Sequence, residues 1–200
     1  MSLQDLDAGP HHREPVSVRL GLLRGFHQLA QHLCFGIPAG PYLVMVLVLG
    51  LAGLRFGECA ALRVADVDLL RRRLKVKASV SEINGHMIWS TPKTHQTRDV
   101  PIPRFLADLL GVEIIGKTPR DLLFCSLEGE PLRLSNWRRR VWDPAIAADG
   151  LTGLTPHELR HTAASLAISS GAAVKHMQRT LGHRSAAMTL DVYASLFETT

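Results

Sequence analysis

Apolar residues recur along this chain with two different periods, and the switch between them maps its elements. In 16–33, residues Leu22, Leu23, Phe26, Leu29, Ala30 and Leu33 return at steps of three and four. That spacing places them on one stripe of a helix. Gly36-Ile37-Pro38-Ala39-Gly40-Pro41 interrupts the pattern, because proline fixes φ and removes a donor. The stretch 42–51 is apolar all round, which predicts a helix buried on every side. Gly53-Leu54-Arg55 reads as a turn, and 58–62 as a short helix ended by the polar Asp66-Val67-Asp68.

The period changes to two at Arg73. Arg73-Leu74-Lys75-Val76-Lys77 alternates charged and apolar, the pattern of a half-exposed strand. Asn84-Gly85 predicts a hairpin turn, with 86–91 as the return strand. A second loop at 92–96 leads to a third short strand, Arg98-Asp99-Val100-Pro101-Ile102. Helical spacing then returns in 103–110, 134–148, 155–170, 174–181 and 186–196. Thr155-Pro156-His157-Glu158 marks a helix start: Thr155 can cap, Pro156 suits the first position, and Glu158 completes a capping box. The predicted fold is mainly α with a small antiparallel β-sheet (α+β).

Composition narrows the function classes. The 200 residues suffice for one domain with a real core, and 46% hydrophobic against 20% charged residues excludes disorder of the whole chain. The longest apolar run, 42–54, is shorter than the ~20 residues a membrane span needs. The N-terminus lacks a charged segment followed by an apolar one, so no secretory signal is read, and a cytoplasmic location without a membrane partner is expected. Cys34, Cys59 and Cys125 are odd in number and contain no CxxC pair, which argues against a disulfide framework and a cysteine zinc site. A net charge of +5 favours an anionic partner, nucleic acid first.

Six residues could form one reactive array: Arg55 in GLRFGE, Lys93 in TPKTHQTRDVPI, His157 and Arg160 in TPHELRHTAA, His183 in LGH, and Tyr193. Each falls at a predicted turn or helix start, where side chains can converge. Together they suit phosphoryl transfer at a phosphodiester. Two guanidinium forks can hold the non-bridging oxygens in bidentate fashion. A phenol, with a pKa near ~10, needs nearby cations and a base before it attacks. Histidines lie in the right range for that base. The chain has only two tyrosines; Tyr42 falls in the apolar run, which leaves Tyr193 as the credible nucleophile.

These motifs, in this order, resemble the catalytic domain of the tyrosine recombinase (phage integrase) family over about 37–196. GLRFGE is similar to the family's first-arginine motif, with Arg55 as the arginine and Glu58 as its acidic partner. Lys93 before RDVPI resembles the catalytic lysine of a β-hairpin turn. HELR matches HxxR, and LGH is followed by Tyr193 ten residues after His183. The resemblance implies a mainly helical breaking-and-rejoining fold acting on double-stranded DNA without metal or cofactor. It implies attack by Tyr193, giving a 3′-phosphotyrosyl link and a free 5′-hydroxyl. Lys93 would be the general acid, and Arg55, Arg160 and His183 would hold the phosphate. His157 would assist proton transfer and Glu58 would orient its neighbours. It also implies a tetramer on DNA in the intact enzyme. Residues 1–36 are then an arm and linker, too few for the family's usual N-terminal DNA clamp, and 37–200 the catalytic domain.

Blander readings compete. Arg55 and Glu58, three apart, could be a surface ion pair contributing ~0.3 kcal/mol. Arg71, Arg72 and Arg73, and Arg138, Arg139 and Arg140, are either solvated faces or backbone-phosphate contacts. Trp137, beside the second run, is either core or a DNA contact. His157-Glu158-Leu159-Arg160-His161 also matches the HExxH zinc protease motif, although its extended form fails at Ala164 and Ala167. A non-catalytic DNA-binding module would share the basic surface but not require the full set. Type IB topoisomerases use a similar set; the LGH-to-tyrosine segment favours a recombinase.

Overall fold

The computed structural model describes residues 37, 40–91, 97–148, 150–151 and 153–182. The helices expected at 16–33 and 186–196 lie outside the described residues, as do Lys93, His183 and Tyr193.

Helix α1 (Pro41–Ala52) opens on Pro41, whose missing N–H is not needed in a first turn. Its Val44, Met45, Val46, Val48 and Leu49 are all buried, as an all-round apolar sequence requires. Each such side chain contributes roughly 1.5–3 kcal/mol by leaving water. Helix α2 (Phe56–Ala60) begins two residues earlier than the sequence suggested. The cause is local: the Glu58 carboxylate folds back onto the Arg55 backbone N–H and starts the helix there.

A 3₁₀ turn (Val64–Asp66) leads to β1 (Val67–Asp68), β2 (Arg73–Val76), β3 (Ser79–Ile83), β4 (His86–Ser90) and β5 (Arg98–Pro101). The single expected sheet is two antiparallel ones, β1-β2-β5 and β3-β4. The chain leaves the first ladder at Lys77-Ala78, where Lys77 turns its ammonium to the buried Asp66 carboxylate. In β2 the alternation holds, with Leu74 and Val76 buried between exposed Arg73 and Lys75. Asn84 (φ 51) and Gly85 (φ 77) make the β3–β4 turn in the left-handed geometry that hairpins favour.

Helix α3 (Arg104–Glu113) follows, then α4 (Leu134–Trp137), a π turn (Arg138–Trp142) and α5 (Asp143–Ala148). The sequence suggested one helix over 134–148. Pro144 explains the break: its ring clashes with the carbonyl four residues back and it offers no N–H. The preceding turn widens instead, and the Asp143 N–H reaches back five residues to the Arg138 carbonyl. Helix α6 (Glu158–Ser169) starts later than expected, after a turn at Pro156-His157. Glu158 does accept the Thr155 N–H, but Thr155 spends its side chain on the Glu158 carboxylate rather than on a cap. Helix α7 (Val174–Leu181) closes the described fold.

The core gathers around α1, which packs on α2, α3 and α6, with Phe124, Leu123, Leu110 and Trp142 fully buried. A smaller cluster of Ala164, Ile168, Met177 and Leu181 joins α6 to α7. Among the described residues no helix is long and apolar enough to cross a membrane. This packing brings the end of α1, the start of α2, the start of α6 and the end of α7 to one place.

Candidate active site

The turn between α1 and α2 and the first turn of α2 are each shaped by a glycine. Gly53 takes φ 65, a left-handed conformation that glycine adopts without strain. A β-carbon there would also lie 2.8 Å from Leu181 Cδ2 and 3.3 Å from Ala163 Cβ, so the turn sits directly on α6 and α7. At Gly57 a β-carbon would lie 2.4 Å from the Val80 carbonyl oxygen. The absent side chain is what lets β3 cross the first turn of α2. GLRFGE is therefore a packing solution: it delivers Arg55, in extended backbone, between the sheet and the helices.

Glu58 is 1% exposed and holds four N–H donors. Its Oε2 accepts the Arg55 backbone N–H at 2.9 Å and Arg98 Nη2 at 2.7 Å. Its Oε1 accepts Arg55 Nη1 at 3.1 Å and Arg98 Nη1 at 3.0 Å. Burial pushes the carboxyl pKa up, but the Arg98 bonds and charge, with those of Arg55, outweigh it and hold the group below the usual carboxylate range. The plain surface pair weighed from sequence is thus a buried, ionised node. Arg98 is the member of this node that the sequence reading passed over. A signal was present: Arg98 shares a strand face with Val100 and Ile102, both buried, so its charge had to find a buried partner.

Arg160 lies at the start of α6, 3% exposed. Its Nη1 donates to the Gly53 carbonyl at 2.6 Å, and its Nη2 donates to the Leu181 carbonyl. One guanidinium thereby ties the residue two before Arg55 to the residue two before His183. His157, one turn earlier, meets His161 edge-on at 5.2 Å between ring centroids. Partial desolvation, then the charges of His161, Arg160 and Arg55, hold the His157 pKa below the ordinary histidine value. A neutral imidazole among cations can accept a proton at neutral pH.

The family model of the phage integrase family matches residues 28–199. The chain belongs to that family. It is 32% identical over 148 residues to the tyrosine recombinase XerD of Pseudomonas aeruginosa, covering 70% of this chain and 44% of that protein. It is 30% identical over 155 residues to a putative prophage phiRv2 integrase of Mycobacterium tuberculosis, covering 75% and 41%. The chain thus spans less than half the length of these relatives. Its fold is similar to that of the Tn1549 transposon integrase solved with circular intermediate DNA, at a TM-score of 0.69 and 19% identity, over 94% of this chain and 64% of that one. These likenesses place the fold among the breaking-and-rejoining catalytic domains that the sequence resemblance implied.

Of the family's candidate residues, the structure gathers Arg55, Glu58, His157 and Arg160. The basic runs divide. Arg138 shares with Arg55 a cleft of about 530 Å³, walled also by Phe56, Ser81, Leu134 and Ser135. It pairs with Asp143 at 3.1 Å, while Arg139 and Arg140 are exposed. Arg71, Arg72 and Arg73 are exposed at the far end of the sheet. Arg98 pairs with Val76 and Arg73 with Pro101, which puts them about 10 Å apart along the ladder. Trp137 proves to be core, 3% exposed, stacked on Trp142 (5.7 Å between ring centroids) and tilted against Phe56 (5.3 Å). In the HExxH match, Glu158 gives its carboxylate to Thr155 rather than to the space between His157 and His161. Among the described residues no group of three or more His, Cys, Asp or Glu side chains could hold a metal. Cys59 is fully buried, and burial pushes its thiol pKa well up, which makes it inert.

Proposed function

We propose that this chain is the catalytic part of a site-specific DNA recombinase, cutting and rejoining double-stranded DNA by transesterification through Tyr193. The observation that carries the reading is the double tie made by Arg160. It fastens the turn before Arg55 and the helix end before His183 to the HELR segment, so motifs over a hundred residues apart in sequence meet. The relatives' names, and the DNA bound to the Tn1549 integrase, support DNA as the partner.

In this reading the Tyr193 oxygen attacks the scissile phosphorus and the bond to the 5′-oxygen breaks. Lys93 gives that oxygen its proton, and the phosphate stays on Tyr193 as a 3′-phosphotyrosine. His157 receives the phenolic proton. Arg55, Arg160 and His183 meet the charge on the non-bridging oxygens. A 5′-hydroxyl from a partner strand reverses the step. The ester preserves the bond energy, so no nucleotide hydrolysis is needed, and the family resemblance implies no metal or cofactor. Residues 37–200 carry this chemistry and 1–36 act as arm and linker. The intact enzyme works as a tetramer on DNA in the cytoplasm.

The test uses a nicked duplex whose short 5′-product diffuses away, recovered from a randomised library by covalent capture. The unaltered chain should form a covalent adduct in the presence of EDTA. Tyr193→Phe should bind the duplex with unchanged affinity and form none. Adduct persisting in that variant refutes the assignment.

A further inference from the structure

We propose that Arg98 is a positioning residue for the strand-transfer reaction: by claiming both oxygens of Glu58 it sets the orientation of the Arg55 guanidinium toward the scissile phosphate. This rests on the reading of Tyr193 and Arg55 given above.

The argument starts from the stoichiometry at Glu58. One carboxylate faces two guanidiniums. Arg98 takes it in the strong, planar way, with parallel bonds of 3.0 and 2.7 Å. Arg55 is left with a single side-chain bond of 3.1 Å to Oε1, and a quarter of its side chain is exposed on the cleft. An arginine gripped by one nitrogen at its rear retains donors for a substrate oxyanion. An arginine that won the whole carboxylate would present its fork to Glu58 instead. Arg98 decides which of these occurs.

Arg98 is itself fixed on three sides. Its backbone is paired in β5 against Val76. Its Nε donates to the Thr180 carbonyl at the end of α7, at 2.8 Å. Its guanidinium lies flat against Gly182, where a β-carbon would come within 3.3 Å of Nη1 and 3.4 Å of Cζ. Gly182 immediately precedes His183, and Lys93 lies five residues before Arg98. The same side chain therefore spans the strand after the lysine loop, the first-arginine turn and the helix before LGH. Its fork is spent on Glu58 and its Nε on Thr180, and it does not line the cleft that Arg55 shares with Arg138.

Misplacement by about an ångström costs on the order of 100-fold in rate, and that is the loss expected for Arg98→Ala in single-turnover cleavage of the captured duplex. The distinguishing readout is a second duplex with a methylphosphonate at the scissile position. That group carries no negative charge, so the orientation of Arg55 matters little to it. The hundredfold ratio of unaltered chain to Arg98→Ala should shrink to about fivefold or less on the neutral substrate, because only charge stabilisation has been lost. Arg98→Lys keeps the charge but not the fork. It should lose about tenfold on the phosphate duplex and show the same suppression, and it carries the test if Arg98→Ala does not fold. A ratio equal on both substrates, in whichever variant folds, would make Arg98 merely structural and overturn the proposal. So would a phosphate-substrate rate within about threefold of the unaltered chain, which is too small for a positioning role. If the unaltered chain itself forms no adduct, the recombinase reading fails, and this proposal with it. That result is distinct from the other two.

Discussion

Arg55 and Arg160 carry the same group and are expected to meet the same phosphate, yet the fold builds them in opposite ways. Arg160 is sunk in the interior and spends two N–H groups on the Gly53 and Leu181 carbonyls. Arg55 stands at the lip of a cleft and is held from behind through Glu58. The difference separates two tasks within one site. In the proposed reading Arg160 holds the motifs together while adding charge, and Arg55 adds charge while the Glu58–Arg98 pair does the holding. Fold and chemistry should therefore be separable at Arg55 and inseparable at Arg160.

The largest effect should come from Arg160→Ala. Cleavage should fall by at least ~100-fold, as when a donor is removed from an oxyanion site. The two orphaned carbonyls should also cost about 3 kcal/mol in urea unfolding. Arg55→Ala should cost a similar ~100-fold in single-turnover cleavage. Its unfolding free energy should drop by about 1 kcal/mol or less, since its bond is part-exposed and Glu58 keeps Arg98. Equal destabilisation by the two variants would erase the contrast drawn here.

Glu58→Gln should show itself in the acid limb of stability. The folded carboxyl has a lowered pKa, so the stability it contributes is full above its unfolded value near ~4.3 and is lost as pH falls through the folded value. The variant should be less stable at pH 7 and show a flatter decline between pH 5 and pH 3. An acid limb parallel to that of the unaltered chain would mean the carboxylate is not ionised as described. The smallest effect should be that of His161→Asn. Removing a neighbouring positive charge raises the His157 pKa, so His157 protonates at higher pH. The acid limb of the cleavage rate should move up by a few tenths of a pH unit, within the range of one charge near the surface. Movement downward would contradict the arrangement of the pair.

Much of this was legible before any coordinates. The all-round apolar stretch at 42–51 had to be a buried helix, and Asn84-Gly85 had to be a tight hairpin. Local rules decide both. What failed to show were features that spacing does not report, or that distant neighbours set. The π turn at Arg138–Trp142 follows from Pro144, but a helical spacing count tolerates a proline and does not report the bulge. The division into two sheets falls at Lys77-Ala78, where Lys77 meets Asp66, a tertiary contact that alternation along the chain does not report. At the site, motif spacing pointed to Arg55, Glu58, His157 and Arg160. Arg98 was overlooked because a charged residue at a strand end looks like an exposed terminus. Its phase with Val100 and Ile102 carried the opposite message. Arg71, Arg72 and Arg73, which looked equivalent to the second basic run, sit at the other end of the ladder; a charge count has no direction in it.

Peptide mapping of the trapped adduct tests the central claim most directly. The captured complex would be digested with nuclease and trypsin, and the nucleotide-bearing peptide sequenced by mass spectrometry. The account requires a 3′-linked nucleotide on Tyr193 and a free 5′-hydroxyl on the released strand. A nucleotide on any other residue, or a 5′-linked one, would contradict it.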